Sequence, residues 1–135
     1  MYQKAAIGWG FKKQATIALS STEAEIVSAS EAAKEAISLH SLYQELGVAN
    51  KSPIQLSVDN QSAIAVAYNP EHHSRMKHVE RRHFFIRECV ENMKIVVPFV
   101  RTDANIADFF TKPLEPRRFF SLRNLIMNHT PSHSQ

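Results

Sequence analysis

With one cysteine, Cys89, the chain cannot form an internal disulfide, which favours a reducing compartment. Long apolar runs are missing too. None approaches the ~18 residues of a membrane span, and the N-terminus lacks the basic-then-apolar layout of a signal peptide. The expectation is therefore an intracellular protein, of cytoplasm or nucleus, with no membrane partner. Internal repeats are absent. Neither sign of charge dominates strongly: 16 Lys and Arg stand against 13 Asp and Glu, a formal net charge of +3 with His neutral. That balance is compatible with a nucleic-acid partner without demonstrating one, and the seven His can add to it below about pH 6.5.

What is present reads as one ordinary globular domain. A chain of 135 residues has room for one real core and no need for two, with apolar and charged fractions of 44% and 21% that are those of a soluble fold. Residues 1–127 form the expected domain and residues 128–135 a polar tail expected to be disordered. The opening, Ala5-Ala6-Ile7-Gly8-Trp9, reads as a short strand, followed by a turn with the basic pair Lys12-Lys13 and an extended lead-in.

Ser20-Ser21-Thr22-Glu23-Ala24-Glu25 has the signature of a helix start. Ser20 with Glu23, or Thr22 with Glu25, matches the capping-box spacing, and acids in a first turn suit the helix dipole. The helix is expected to run to about Leu46 on Ile26, Ala29, Ala33, Ile37 and Tyr43, with Gly47 at its C-terminal cap. Pro53-Ile54-Gln55-Leu56-Ser57-Val58 alternates as a half-buried strand, and Asp59-Asn60 offers an N-cap pair for a short helix over residues 61–68. A strand that delivers an Asp at its end and passes at once into a helix is where open α/β sheets place ligands.

Residues 71–93 are charged and His-rich, then periodic through Val79, His83, Ile86 and Val90. Residues 95–100 read as a strand whose Pro98 argues for an edge position. Thr102-Asp103 is expected to cap a helix containing Ile106 to Phe110, ended by Lys112-Pro113, and residues 118–127 form a last amphipathic piece. Cys89 reads as a packing residue rather than a nucleophile.

Three acids stand out by position: Glu23 on a first helical turn, Asp59 at a strand end and Asp108 on a late helix. Acids from separate elements can converge on Mg²⁺, a hard cation that prefers oxygen ligands. Two such ions about 4 Å apart activate a water and stabilise the leaving oxygen in phosphodiester cleavage. The alternatives are simpler: Glu23 in a capped helix, Asp59 as an N-cap, Asp108 as a solvated helix residue.

Taken together the motifs resemble a family. Trp9 with Lys12-Lys13-Gln14, then Ala18-Leu19-Ser20-Ser21-Thr22-Glu23-Ala24-Glu25, Asp59-Asn60-Gln61-Ser62-Ala63-Ile64 and Asn69-Pro70 are similar to the ribonuclease H domain that ends Ty1/copia-type retrotransposon polyproteins. The similarity continues through His73-Ser74-Arg75, Lys77-His78, His83-Phe84 and Ile86-Arg87-Glu88, and closes with Ala107-Asp108 and Phe110-Thr111-Lys112-Pro113-Leu114. It spans about residues 5–126.

The resemblance implies an α/β fold of the ribonuclease H type, a five-stranded mixed sheet flanked by helices, and a hydrolase that cuts the RNA strand of an RNA–DNA hybrid. It implies four carboxylates on two Mg²⁺, three of them Glu23, Asp59 and Asp108, with Glu25 a neighbouring acid outside the set. The family's first carboxylate is an Asp on its first strand. No Asp precedes Asp59 here, and the similarity starts at the family's third strand. The expectation is a ribonuclease H-like fold lacking its first two strands, inactive as an isolated chain. Its open strand edges would invite a chain that supplies the missing strands, such as the upstream reverse transcriptase region.

The segment around Arg75, Lys77, His78, Arg81, Arg82 and Arg87, with Lys12 and Lys13, offers cations to the phosphates of a hybrid or another nucleic acid. The other reading is a solvated helix face with internal ion pairs. A repurposed, non-catalytic nucleic-acid-binding or host-interacting protein is the second functional expectation. Zinc at His72, His73, His78 and His83 is disfavoured, because no Cys partners them at finger spacing.

Overall fold

The first long helix starts where its cap chemistry dictates. In the computed structural model, which describes Ala6, Gly8, Gly10 and residues 20–48, 52–69 and 77–128, α1 spans Ser21–Glu45. Ser20 is its N-cap: the residue is extended and its Oγ accepts from the Glu23 N–H at 3.1 Å. Of the two capping boxes in the sequence, the Ser20–Glu23 spacing is the one used, and Thr22 lies inside the helix. The far end closes at Gly47, whose φ of +71° is the left-handed conformation a Cβ disfavours. The Gly47 N–H donates to the Gln44 carbonyl and the Val48 N–H to the Tyr43 carbonyl, both at 3.0 Å. This paired closure is a Schellman motif.

A parallel strand pair follows. β1 (Ile54–Gln55) and β2 (Ile95–Val96) pair Ile54 with Ile95 and Gln55 with Val96, and an isolated parallel bridge joins Val58 to Phe99. The Ile54, Leu56 and Val58 N–H groups donate to the Lys94, Val96 and Pro98 carbonyls, and the Val100 N–H returns to the Val58 carbonyl. Pro98 has no N–H, so the rung it would send back toward Leu56 cannot form. Its ring therefore interrupts the ladder between two regular stretches, instead of merely marking an outer edge. The Val97 N–H points the other way and donates to the Tyr68 hydroxyl at 3.1 Å.

Two helices join this pair to α1. α2 spans Gln61–Tyr68 and α3 spans Lys77–Glu91; α1 packs against both, and α2 against α3. The shared core holds Ile26, Ala33, Val58, Ala63, Ala67, Ile86, Cys89, Ile95 and Val97. Its mixture of small and branched residues lets three helices and a strand pair approach closely. Full burial on α1 stops about halfway: Ile26, Val27, Ser30 and Ala33 are buried, whereas Leu39 and Leu42, and Leu46 just past its end, are exposed.

Residues 17–101 form one compact unit, and residues 1–16 with 102–135 form another. In the second, Thr102–Ala104 is a single 3-10 turn, α4 is only Asp108–Thr111, and α5 spans Pro116–Ile126. The single helix expected from Thr102-Asp103 onward is thus broken in two. Neither residue caps α4: its N-cap is Ala107, with no side-chain bond, and Asn105 Oδ1 takes the Ala107 N–H at 3.1 Å. α5 begins at Pro116, two residues earlier than the sequence suggested, because proline suits a first helical position. Leu122 and Ile126 are its buried residues, and the Ile126 carbonyl accepts from the Ala6 N–H at 2.9 Å.

The expected strand around Ile7, the pair Lys12-Lys13, Arg75 and residues 129–135 of the expected tail lie outside the described residues. Among those described, no helix is long and apolar enough to cross a membrane.

Candidate functional site

Asp59 directly follows the bridge residue Val58, at the C-terminal end of the β1 segment. It is half-buried, yet it does not cap α2. Asn60 does so, its Oδ1 accepting from the Ala63 N–H at 3.0 Å. Either residue is chemically able to cap. With Asn60 in that role, the Asp59 carboxylate makes no hydrogen bond or ion pair among the described residues. A strand-end acid without a structural task is what a binding or catalytic carboxylate requires.

Glu23 lies in the same unit, half-buried on the first turn of α1, where the helix dipole favours its charge. Glu25 is also half-buried, two residues on.

Asp108 belongs to the other unit, and its surroundings differ in kind. It is 3% exposed at the start of α4, and two cations hold it. Lys112 Nζ lies 2.8 Å from Oδ1, and Arg118 Nη2 donates to Oδ2 at 2.7 Å. The same Arg118 nitrogen also donates to the Thr102 carbonyl, so one guanidinium ties the 3-10 turn, α4 and α5 together. The reading of Asp108 as a merely solvated helix residue is corrected by this burial.

The Lys112 partner sits one helical turn after Asp108, in the favourable acid-before-base order, and that spacing was visible in the sequence. Arg118 lies beyond Pro113 and Pro116, on another helix, and no local pattern pointed to it.

These side chains can be tested against the ion the resemblance implies. The donor type suits Mg²⁺, and Asp59 is available. Asp108 does not fit: both of its oxygens already face cations, and a dication there would meet their positive charge. Among the described residues, no group of three or more His, Cys, Asp or Glu side chains gathers into a metal-holding set.

On α3, Lys77 is the first residue, Arg81 is exposed and Arg82 half-buried. Neither Arg81 nor Arg82 makes an ion pair among the described residues. Arg87 is committed locally, 5.0 Å from the Phe84 ring centroid and 3.7 Å from the Glu91 carboxylate. His83 and Cys89 face the core at 8% and 4% exposure. Burial pushes the Cys89 thiol above its ordinary value of 9.0, with Lys94 opposing and Glu88 adding. It is an inert packing residue, as the sequence suggested. The crevice lined by Ile26, Ala63, Val66, Ala67, His83 and Ile86 encloses about 10 Å³, room for one water at most.

The described residues thus make an α/β chain, mainly helical, with a small parallel sheet and an acid at its strand end. No family model matches the chain, and no solved structure does. Curated relatives do. The chain is 38% identical over 125 residues to the retrovirus-related Pol polyprotein from transposon TNT 1-94 of Nicotiana tabacum, covering 93% of this chain and 9% of that protein. It is 38% identical over 128 residues to the Pol polyprotein from transposon RE2 of Arabidopsis thaliana, with the same coverage. The Ty1-NL2 Gag-Pol polyprotein of Saccharomyces cerevisiae is 35% identical over 121 residues, covering 87% of this chain and 7% of the polyprotein. The chain is a relative of Ty1/copia-type retrotransposon Pol polyproteins and spans less than a tenth of the length of these relatives.

Proposed function

We propose that the chain is a retrotransposon-derived segment of ribonuclease H type, descended from an enzyme that cleaved the RNA strand of RNA–DNA hybrids with Mg²⁺. The observation that carries this reading is Asp59: a half-buried carboxylate at the end of a parallel strand, relieved of capping by Asn60 and without a bond of its own. The motif resemblance around Ser20 to Glu25, Asp59 to Ile64 and Asp108 to Leu114 supports the ribonuclease H assignment over any other portion of a Pol polyprotein.

In the ancestral reaction Glu23, Asp59 and Asp108 would have been three of the four metal ligands. In this chain Asp108 is neutralised by Lys112 and Arg118, and the sequence before Asp59 contains no other Asp. Two-metal binding and geometry depend on a bridging carboxylate. The chain by itself is therefore inactive in this reading. Restored cleavage would need both a pairing polypeptide that supplies the first carboxylate and release of Asp108 from Lys112 and Arg118.

The test is a Mg²⁺-dependent assay on a labelled RNA–DNA hybrid. No cleavage is expected from the chain alone. Cleavage that disappears in Asp59→Asn would overturn the claim of inactivity while upholding the ribonuclease H descent.

A second reading is favoured by the uncommitted cations Arg81 and Arg82 on α3: a non-catalytic protein that holds nucleic acid through Arg81, Arg82 and Lys77, with Lys12, Lys13 and Arg75. Filter binding to hybrid, duplex RNA and duplex DNA at two salt concentrations tests it. Binding should fall steeply with salt, and failure to bind any of them at low salt counts against it.

A further inference from the structure

Four phenylalanines of α4 and α5 form one continuous run of rings. Phe110 meets Phe109 edge-on with centroids 5.2 Å apart, Phe109 stacks on Phe119 at 5.0 Å and 29°, and Phe119 meets Phe120 edge-on at 5.5 Å. The Arg123 guanidinium ends the run, 4.9 Å from the Phe120 centroid. Phe109 and Phe110 are half-buried, but Phe119 and Phe120 keep 40% and 50% of their surface in water. A single exposed phenylalanine needs no explanation. Two adjacent ones, braced from below by a second pair, present an ordered π surface to solvent.

The charge around these rings is suited to an anion. Residues 102–128 carry Lys112, Arg117, Arg118 and Arg123 against Asp103, Asp108 and Glu115. Asp108 is buried beneath two of those cations. Arg117 is exposed and makes no hydrogen bond or ion pair among the described residues. The Arg123 guanidinium is held beside the Phe120 ring by two bonds to Asn124 Oδ1, from Nε at 3.2 Å and Nη2 at 2.8 Å, so a cation is already placed against the ring face. A purely apolar partner would have to strip water from the exposed Arg117 with nothing to offer it. A nucleotide chain has a π-face for each ring and a phosphate for each guanidinium.

We infer that the α4–α5 face binds single-stranded nucleic acid, with bases stacking on Phe119 and Phe120 and Arg117 and Arg123 meeting the phosphates. Every base has a π-face, so the contact is tolerant of sequence. The site uses neither the acids nor the α3 cations of the proposed function and does not require hybrid cleavage.

The experiment uses the full chain and fluorescein-labelled 12-mers of oligo(dT) and oligo(rU), read by fluorescence anisotropy at 50 and 200 mM NaCl. Binding is expected at the lower salt, weaker at the higher. Phe120→Leu keeps the apolar bulk and removes the ring, and should weaken binding about tenfold; Phe120→Tyr should bind like the parent. Arg117→Ala with Arg123→Ala should weaken binding and flatten the salt dependence, a readout that stands if Phe120→Leu fails to fold. The proposal is overturned if the parent does not bind at 50 mM NaCl, or if the folded Phe120→Leu chain binds like the parent. It is equally overturned if vesicles of phosphatidylserine and phosphatidylcholine, and no oligonucleotide, show the Phe120 dependence, which would assign the face to a lipid surface. The readout is binding of single strands and does not involve hybrid cleavage, so failure of this site and failure of the ribonuclease H reading are seen separately.

Discussion

Replacing Asp108 by Asn should loosen α5, and the sign of that effect separates two roles for the acid. The carboxylate is 4% exposed while its partners keep 51% (Lys112) and 34% (Arg118) of their side-chain surface. Lys112 can return to water when its partner goes, so its pair is worth no more than about 0.5 kcal/mol. Arg118 is more enclosed and makes a short, charge-assisted bond; such bonds contribute about 1.5–3 kcal/mol. Asn retains one acceptor and recovers part of this. The net loss is then about 2 kcal/mol, or roughly a 30-fold rise in the open population of this unit at 1.4 kcal/mol per tenfold. Hydrogen exchange followed by mass spectrometry reads it directly. Amides of α5 should exchange about 30-fold faster in Asp108→Asn, while those of α1 between Ile26 and Ala33 keep the parent rate. In a crowded set of metal-binding acids, removing one carboxylate relieves repulsion and stabilises the metal-free protein. Unchanged or slower exchange in α5 would therefore refute the structural role of Asp108.

Three further expectations follow from the same geometry. Asn60→Ala should lower stability by about 1 kcal/mol by removing the α2 cap, whereas Asp59→Asn should stay within about 0.5 kcal/mol in a urea melt; a large loss at Asp59 would mean that it has a structural partner. Gly47→Ala, forced into the left-handed region at φ +71°, should cost about 1 kcal/mol and fray the last turn of α1 by circular dichroism. Because burial raises the Cys89 thiol above 9.0, the folded chain holds this proton while the unfolded chain releases it. Stability should thus be complete below about pH 9 and decline above it relative to Cys89→Ala, and thiol labelling at neutral pH should track unfolding.

The parts of the molecule legible in the sequence are those set by chemistry within a few residues. Ser20, Glu23 and Gly47 announce both ends of α1 because capping and the left-handed turn are local events. The alternation before Asp59 marked the strand segment for the same reason. Asp59-Asn60 was ambiguous in principle, since both side chains can cap and only the three-dimensional turn chooses between them. The enclosure of Asp108 was hidden because its cause is Arg118, ten residues downstream on another helix. The run of Phe109, Phe110, Phe119 and Phe120 was equally invisible. Two adjacent pairs nine residues apart read as two amphipathic fragments until α4 and α5 fold onto each other.

Pro98 gives the small sheet an uneven grip. Two rungs, from Ile54 and Leu56, lie on one side of the gap, and the Val58–Pro98 and Val100–Val58 bonds lie on the other. The stretch that carries Asp59 is thus moored by its own short ladder and can part from β2 without disturbing the pairing of Ile54. Amides of Val58 and Val100 should accordingly exchange ahead of those of Ile54 and Leu56. The acid at the strand end then sits on a hinge of the sheet, where its position can shift without unfolding the core beneath it.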